Sequence, residues 1–472
     1  ATTGIYTLSL HDALPILSFT LMLSGLASFP LRAETLTLRD AMLQAVKNNP
    51  NLQAAGFETA ARVDEQRSVR GRFLPGVRTS ANVLYWNDDA SSQINLSAIT
   101  DIFSDLAPML PASSQEKLAN LQNNPPEIQI RDRLTYKASI TIAQPLIQLY
   151  GMYFNYDAAG KLAEAAALDQ RSARLQLEFE VARAYYGLLA AIGMTETLGV
   201  ALRQIDAYES RAKVLLDAGR IEANALMQVE VQRAEMSKAI FAAQKGVLLG
   251  KARLNMLMGR PQDIEFEPEM MGEMDIAGAE GEASVEWSDE ALRERPDLLA
   301  AGRTVEAAKA RRHAAIASML PELNAVFTYD YNGGMGAMQP ENQYFVGLTL
   351  NWNLWDWGAS YYQFRAVKSR ADGAARRLEG LKEQAQLEIR SRLLDVDEAE
   401  RGYGVAVLAR GQAAENLRIE TVRYDAGRAT TADLLSAQAI DVRAANDLVL
   451  AEMKLRESRQ ALFVTAGRDL LD

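Results

Sequence analysis

Few side chains in this sequence could do chemistry. Histidine occurs only as His11 and His313, and cysteine is absent. Without thiols there can be no disulfides, thiolate metal sites or cysteine nucleophiles. Two isolated histidines also leave almost no His-dependent mechanism open. Catalysis would have to rest on carboxylates. Aspartate and glutamate number 61, yet nothing in the chain pairs acids as a cleft would need. Met270, Met271 and Met274 share an acidic stretch. Thioethers can bind Cu(I), but three methionines in a linker read as flexible packing. Arg311-Arg312-His313 reads as a solvated helix face, and the run Gly333-Gly334-Met335-Gly336 is too loose to cradle a phosphate. Against 50 basic residues the acids leave a net charge of −11, a surface that repels phosphate backbones. The expectation is no enzyme, no cofactor, no metal and no nucleic-acid partner.

The informative residues are repeated words. Asn49–Gly56 (NPNLQAAG) resembles Arg295–Gly302 (RPDLLAAG), 246 positions on, and the same offset relates Leu74-Pro75 to Leu320-Pro321. Asp217–Arg220 (DAGR) recurs at Asp425–Arg428, an offset of 208 that also relates Leu226 to Leu434 and Gly259-Arg260 to Gly467-Arg468. Two constant offsets differing by 38 describe one duplicated unit with extra residues in its first copy, between Pro75 and Asp217. Glycine at each DAGR permits a helix reversal, so Gly219 and Gly427 mark two turns.

The elements that carry these turns are long. No proline occurs from Leu146 to Arg260 or after Pro340, and proline breaks helix interiors. Apolar stripes at i, i+4, i+7 spacing (Val181, Tyr185, Leu188; Ile389, Leu393, Val396) predict helices over about 150–218 and 357–426. Each returns through a shorter helix, 223–258 and 432–466. A second helix of each unit, near 52–70 and 298–318, is expected to stack end to end with the returning one. Strands are expected over about 74–86, 134–146, 322–331 and 343–354, because apolar and polar residues alternate there. Leu323, Ala325, Phe327, Tyr329 and Tyr331 oppose Asn324, Thr328 and Asp330; Tyr344, Val346, Leu348 and Leu350 oppose Gly347, Thr349 and Asn351. Residues 87–132 and the glycine run read as the caps of the two hairpins.

Ile16–Phe29 holds no charge and is too short to span a membrane, but it suits the apolar region of an export signal. Residues 1–33 are therefore expected to be a signal peptide, the first fifteen or so extraneous, with 34–264 and 287–472 as the two repeats and 265–286 as the linker between them. No later window reads as a transmembrane helix. Four strands with one apolar face cannot close a barrel alone, and open edges are not tolerated in lipid. Several chains contributing four strands each would solve this. Aromatics bracket the apolar band: Tyr85, Trp86, Tyr329 and Tyr344 toward the hairpin loops; Tyr150, Trp352, Trp355 and Trp357 toward the helices. That is the girdle pattern of membrane barrels.

The doubled helix–hairpin–long helix–turn–helix unit, with its Leu-Pro steps and glycine turns, resembles the TolC-type outer-membrane efflux and secretion channels from about residue 34 to 471. The fold class implied is an α+β membrane protein in which very long helical hairpins form a tunnel. The resemblance implies that the four amphipathic strands join a trimeric twelve-stranded transmembrane barrel. The resemblance implies a homotrimer in outer-membrane lipid with a periplasmic helical tunnel. Its partners would be a periplasmic adaptor and an inner-membrane transporter, in an efflux pump or a type I secretion system. It also implies a tip contacting the adaptor through Gly219, Arg220, Leu226, Gly427, Arg428 and Leu434. Asp433 matches an acid that narrows the tunnel mouth in some relatives; Ser436 stands where those relatives repeat the acid, and Ala225 replaces it in the first copy. A periplasmic coiled-coil adaptor would also explain helices and signal, but not four amphipathic strands with aromatic rims.

Overall fold

The computed structural model describes residues 34–95, 97–270, 272, 284–336 and 340–471. Residues 1–33, expected to be an export signal, lie outside them, as do Met271, Met274 and most of the segment expected to link the repeats. A short strand β1 (Glu34–Leu36) leads into helices α1 (Leu38–Asn48) and α2 (Pro50–Gly71), then strand β2 (Gly76–Tyr85). A cap follows, with strand β3 (Ala90–Gln93), helices α3 (Ser97–Asp105) and α4 (Ala112–Asn123) and strand β4 (Glu127–Arg131). Strand β5 (Leu134–Pro145) descends into α5 (Leu149–Asp217), α6 (Ala223–Leu257) and strand β6 (Phe266–Pro268). The second repeat runs α7 (Ser284–Glu294), α8 (Pro296–Ala317), β7 (Glu322–Gly333), β8 (Asn342–Asn351), α9 (Ala359–Asp425) and α10 (Thr431–Thr465).

The two long helices contain 69 and 67 residues, each about 100 Å at 1.5 Å per residue. By length and composition α5 is apolar enough to cross a membrane, which corrects the expectation that no window after the first 33 residues reads as a transmembrane helix. Its apolar side chains serve another purpose. Val181, Tyr185, Leu188 and Leu189 are buried in a core with Leu36, Met42, Leu254, Met258 and Phe266. There β1 and β6 pair in parallel, Leu36 opposite Pro268. The Tyr185 hydroxyl donates to the carbonyls of Leu36 and Glu269, both at 2.9 Å. Burial pushes its pKa up to about 12, so it remains a donor throughout the physiological range.

Local chemistry fixes the joints. Buried Asn49 ends α1 and caps α2, its Oδ1 accepting from Asn51 and Leu52 N–H, with Pro50 in the first turn. Its amide also donates to the carbonyl of Leu257 at 2.9 Å, tying α2 to the end of α6. Gly259 there has φ 67°, and a Cβ would lie 2.5 Å from the Asn48 carbonyl oxygen, so glycine is required twice over. In the second repeat Arg295 takes the place of Asn49. Its guanidinium binds Asp297 at 2.8 Å and Glu388 of α9 at 2.9 Å.

The helical wall has a definite order. In the upper half α5 packs against α2 on one side and α8 on the other, and α8 packs against α9. Below, α5 packs against α6 and α10, and α10 against α9. Thus α2 stacks above α6 beside α5, and α8 above α10 between α5 and α9.

Candidate channel wall and tip

Strands β2, β5, β7 and β8 form one antiparallel sheet in that order. Its two faces are chemically opposite. On one, Val77, Val83, Tyr85, Ile140, Tyr329, Tyr344, Val346, Leu348 and Leu350 are exposed, Leu348 by 68%. On the other, Thr135, Thr328, Asp330 and Asn332 are all less than a tenth exposed. Lys137 reaches Asp330 at 3.3 Å, Ser80 meets Ser139 at 2.7 Å, and Thr141 meets Thr328 at 3.3 Å. A water-soluble sheet buries the apolar face; this one presents it, as a lipid-facing sheet does.

The aromatics follow the faces. Tyr85, Tyr329 and Tyr344 lie on the apolar side toward the hairpin loops, where Tyr136 and Tyr331 join them with ring centroids 5.8 Å apart. Trp352, Trp355 and Trp357 are exposed below the sheet, the last two in edge contact at 5.7 Å, with Tyr150 near the start of α5. From Tyr344 to Trp352 is eight residues, about 27 Å along a strand, which at a tilt of about 40° rises about 20 Å, comparable to the apolar band of a membrane barrel. Trp86 requires a correction. Its indole N–H donates to Thr135 Oγ1 at 3.0 Å, and the Arg131 guanidinium lies 3.9 Å above its ring. It therefore belongs to the polar face and is no girdle residue. Adjacency to Tyr85 was the signal, since neighbours on a strand point to opposite faces. His313 is corrected too: it stacks on Phe154 at 5.0 Å.

At the far end both long helices stop in the same way. Gly219 (φ 69°) and Gly427 (φ 68°) adopt left-handed backbone. The N–H groups of Gly219 and Arg220 bond to Leu216 and Leu215 carbonyls; those of Gly427 and Arg428 bond to Tyr424 and Arg423. This is the Schellman reversal, which satisfies the last orphan carbonyls of each helix. The pair Gly259-Arg260 and Gly467-Arg468 closes α6 and α10 likewise. Arg220 and Arg428 are exposed at the tip, and no carboxylate partner is seen for either among the described residues. Between the two turns lies a groove of about 580 Å³ lined by Arg211, Val214, Arg220, Tyr424, Asp425 and Gly427. Arg211 bridges to Asp425 at 2.7 Å, joining α5 to α9.

Leu226 is half-buried and Leu434 is 1% exposed, both in a tip core with Ile205, Tyr208, Leu417 and Tyr424. The expectation that Leu434 contacts a partner is thus corrected, because its side chain is already enclosed. Asp433 is exposed, in the first turn of α10. Its Oδ2 accepts from the Thr430 N–H at 2.9 Å and hydroxyl at 2.7 Å, while its own N–H donates to Thr430 Oγ1 at 3.2 Å. This capping box holds its carboxyl below the usual carboxylate range. In the first repeat Glu222 precedes α6 and makes no side-chain cap.

Among the described residues no cluster of His, Asp or Glu could hold a metal ion. A sheet with an apolar outward face and a polar inner one, continued by helices about 100 Å long, defines the class of outer-membrane channel-tunnels. The family model described as outer membrane efflux protein matches residues 42–260 and 287–468. The chain belongs to that family, whose members are outer-membrane channels with periplasmic helical tunnels and act in transport, not catalysis. It is a channel-tunnel component of tripartite efflux. The fold is similar to that of the outer-membrane channel OprN (18% identity, 92% of this chain and 91% of that one, TM-score 0.74). It is likewise similar to the outer-membrane channel CmeC of Campylobacter jejuni (17%, 91% and 85%, TM-score 0.74). The outer-membrane protein VceC of Vibrio cholerae matches as well (18%, 92% and 97%, TM-score 0.73). A comparison with curated proteins finds no match.

Proposed function

We propose that three copies of this chain close a twelve-stranded barrel in the outer membrane. The barrel continues into a periplasmic tunnel whose tip is met by an adaptor and an inner-membrane transporter. The channel is passive, and solutes cross it along the polar strand face and the helical wall. One observation carries the reading: the free edges coincide at every level. The sheet ends at β2 and β8, the upper helices at α2 and α9, the lower helices at α6 and α9. Since β2 follows α2 and β8 precedes α9, each copy has one continuous left edge and one continuous right edge. Alternating direction across four strands makes β2 and β8 antiparallel to each other, so copies join edge to edge without breaking the pattern. The adaptor would meet Gly219, Arg220, Gly427 and Arg428, and the Asp433 carboxylates of three copies would stand around the tunnel mouth. The test is mass by light scattering in mild detergent, followed by planar-bilayer recording. Three chain masses and discrete conductance steps are expected; a stable monomer would overturn the reading.

A further inference from the structure

The cap between β2 and β5 contains a helix packed the wrong way round for a solvent-exposed segment. Along α3 and one residue past its end, Ile99, Ile102, Phe103 and Leu106 recur at i, i+3, i+4, i+7, an amphipathic stripe. The helix turns Thr100 inward beside Leu121 of α4. The stripe points outward, with its members 47–63% exposed and Met109 beyond them 87% exposed. An apolar patch of this kind needs a cover.

Position and charge choose among covers. The cap is anchored on the polar side of the sheet, by Arg131 of β4 stacked on Trp86 and by the Asp132 N–H bonded to the Gly334 carbonyl at 2.7 Å. It therefore leans toward the barrel interior and away from the lipid face. It also grows directly from β2, the edge strand at which the next copy would join. Residues 87–132 carry seven acids against Lys117 and Arg131, which disfavours seating in an anionic lipid surface. We infer that the α3 stripes of neighbouring copies cover one another over the mouth of the barrel, forming an apolar extracellular constriction. The inference rests on the trimer proposed above.

The native absence of cysteine makes the test clean. Ile102→Cys on the stripe and Glu116→Cys on the exposed side of α4 are each placed in the full chain and purified in mild detergent. Mass by light scattering is read first, and a monomer overturns both the trimer and the constriction. In intact trimers a short bismaleimide should convert Ile102→Cys to covalent dimers while leaving Glu116→Cys uncoupled. A trimer in which Ile102→Cys stays uncoupled overturns the constriction alone. Labelling on whole cells with a membrane-impermeant maleimide then separates a face open to the medium from one covered by lipid. Independently, Ile102→Asp should raise single-channel conductance about two-fold by hydrating the apolar ring; unchanged conductance also overturns the constriction.

Discussion

At the scale of single residues the sequence misplaces three side chains, each for a physical reason. Trp86 shares its aromatic character with Tyr85, but alternation along the chain separates them, and its indole bonds to Thr135 on the polar face. Leu434 sits beside an exposed turn, but helical periodicity turns it into the tip core. His313, read with two arginines, finds the Phe154 ring instead. Such contacts lie between distant parts of the chain and leave no local signature. Asp433 is the residue at which a local motif and a proposed pore role meet. The Thr430 backbone N–H and hydroxyl hold its carboxyl below the usual carboxylate range, which favours the ionised form. A depressed carboxyl contributes its share of helix capping above the unfolded value, and that share is lost as pH falls through the folded one. Converging carboxylates attract cations. The expected outcome is a cation-preferring pore whose preference persists to about pH 5. Asp433→Asn should weaken it with little change in folding, since Thr430 still accepts from the N–H at that position. Bilayer reversal potentials under a salt gradient decide: identical potentials in mutant and parent leave Asp433 a capping residue only.

Elements were legible in proportion to how regular they are. The duplicated unit, the long proline-free helices and the alternating strands show in the sequence because each repeats a period over many residues. Strand β6 does not, because three residues (Phe266–Pro268) pairing in parallel with β1 some 230 positions away carry no period of their own. Pro108, Pro111, Pro125 and Pro126 interrupt the cap and hide its elements from the sequence, yet two helices and a β3–β4 pair fit between and around them. The two faces of β8 provide the element-level test. Leu348 pairs with Ala325 and Thr349 with Asn324, on opposite sides of the sheet. An arginine at Leu348 meets hydrocarbon and should cost about 2–4 kcal/mol if near the midplane. Thr349→Arg meets the polar interior and should fold normally while altering conductance. Urea-induced unfolding in lipid vesicles measures both, and equal damage from the two substitutions would invert or abolish the assigned faces.

For the whole molecule the argument turns on what one copy leaves uncovered. The lower wall ends in α6 on one side and α9 on the other. Both carry large apolar side chains in the open: Phe241 and Leu248 on α6, Leu394 and Leu408 on α9, with Phe241 70% exposed. Leu394 and Leu408 lie well down α9 from the exposed Trp357, and α6 lies in the lower half of the wall, so lipid at the sheet would not cover these side chains, and water on either side of the wall should not. In the proposed trimer the neighbouring copy would be the cover, with α9 of one chain against α6 of the next. Full burial of a phenylalanine contributes roughly 1.5–3 kcal/mol, and every 1.4 kcal/mol is about ten-fold in an equilibrium. Phe241→Asp should therefore weaken association by about ten- to a hundred-fold per interface, leaving helical content per chain largely unchanged because the side chain is mostly exposed within its own copy. Light-scattering mass across a dilution series in detergent, with circular dichroism alongside, reads both quantities. A trimer that dissociates no more readily than the parent would place Phe241 outside the interface and separate the helical seam from the barrel seam.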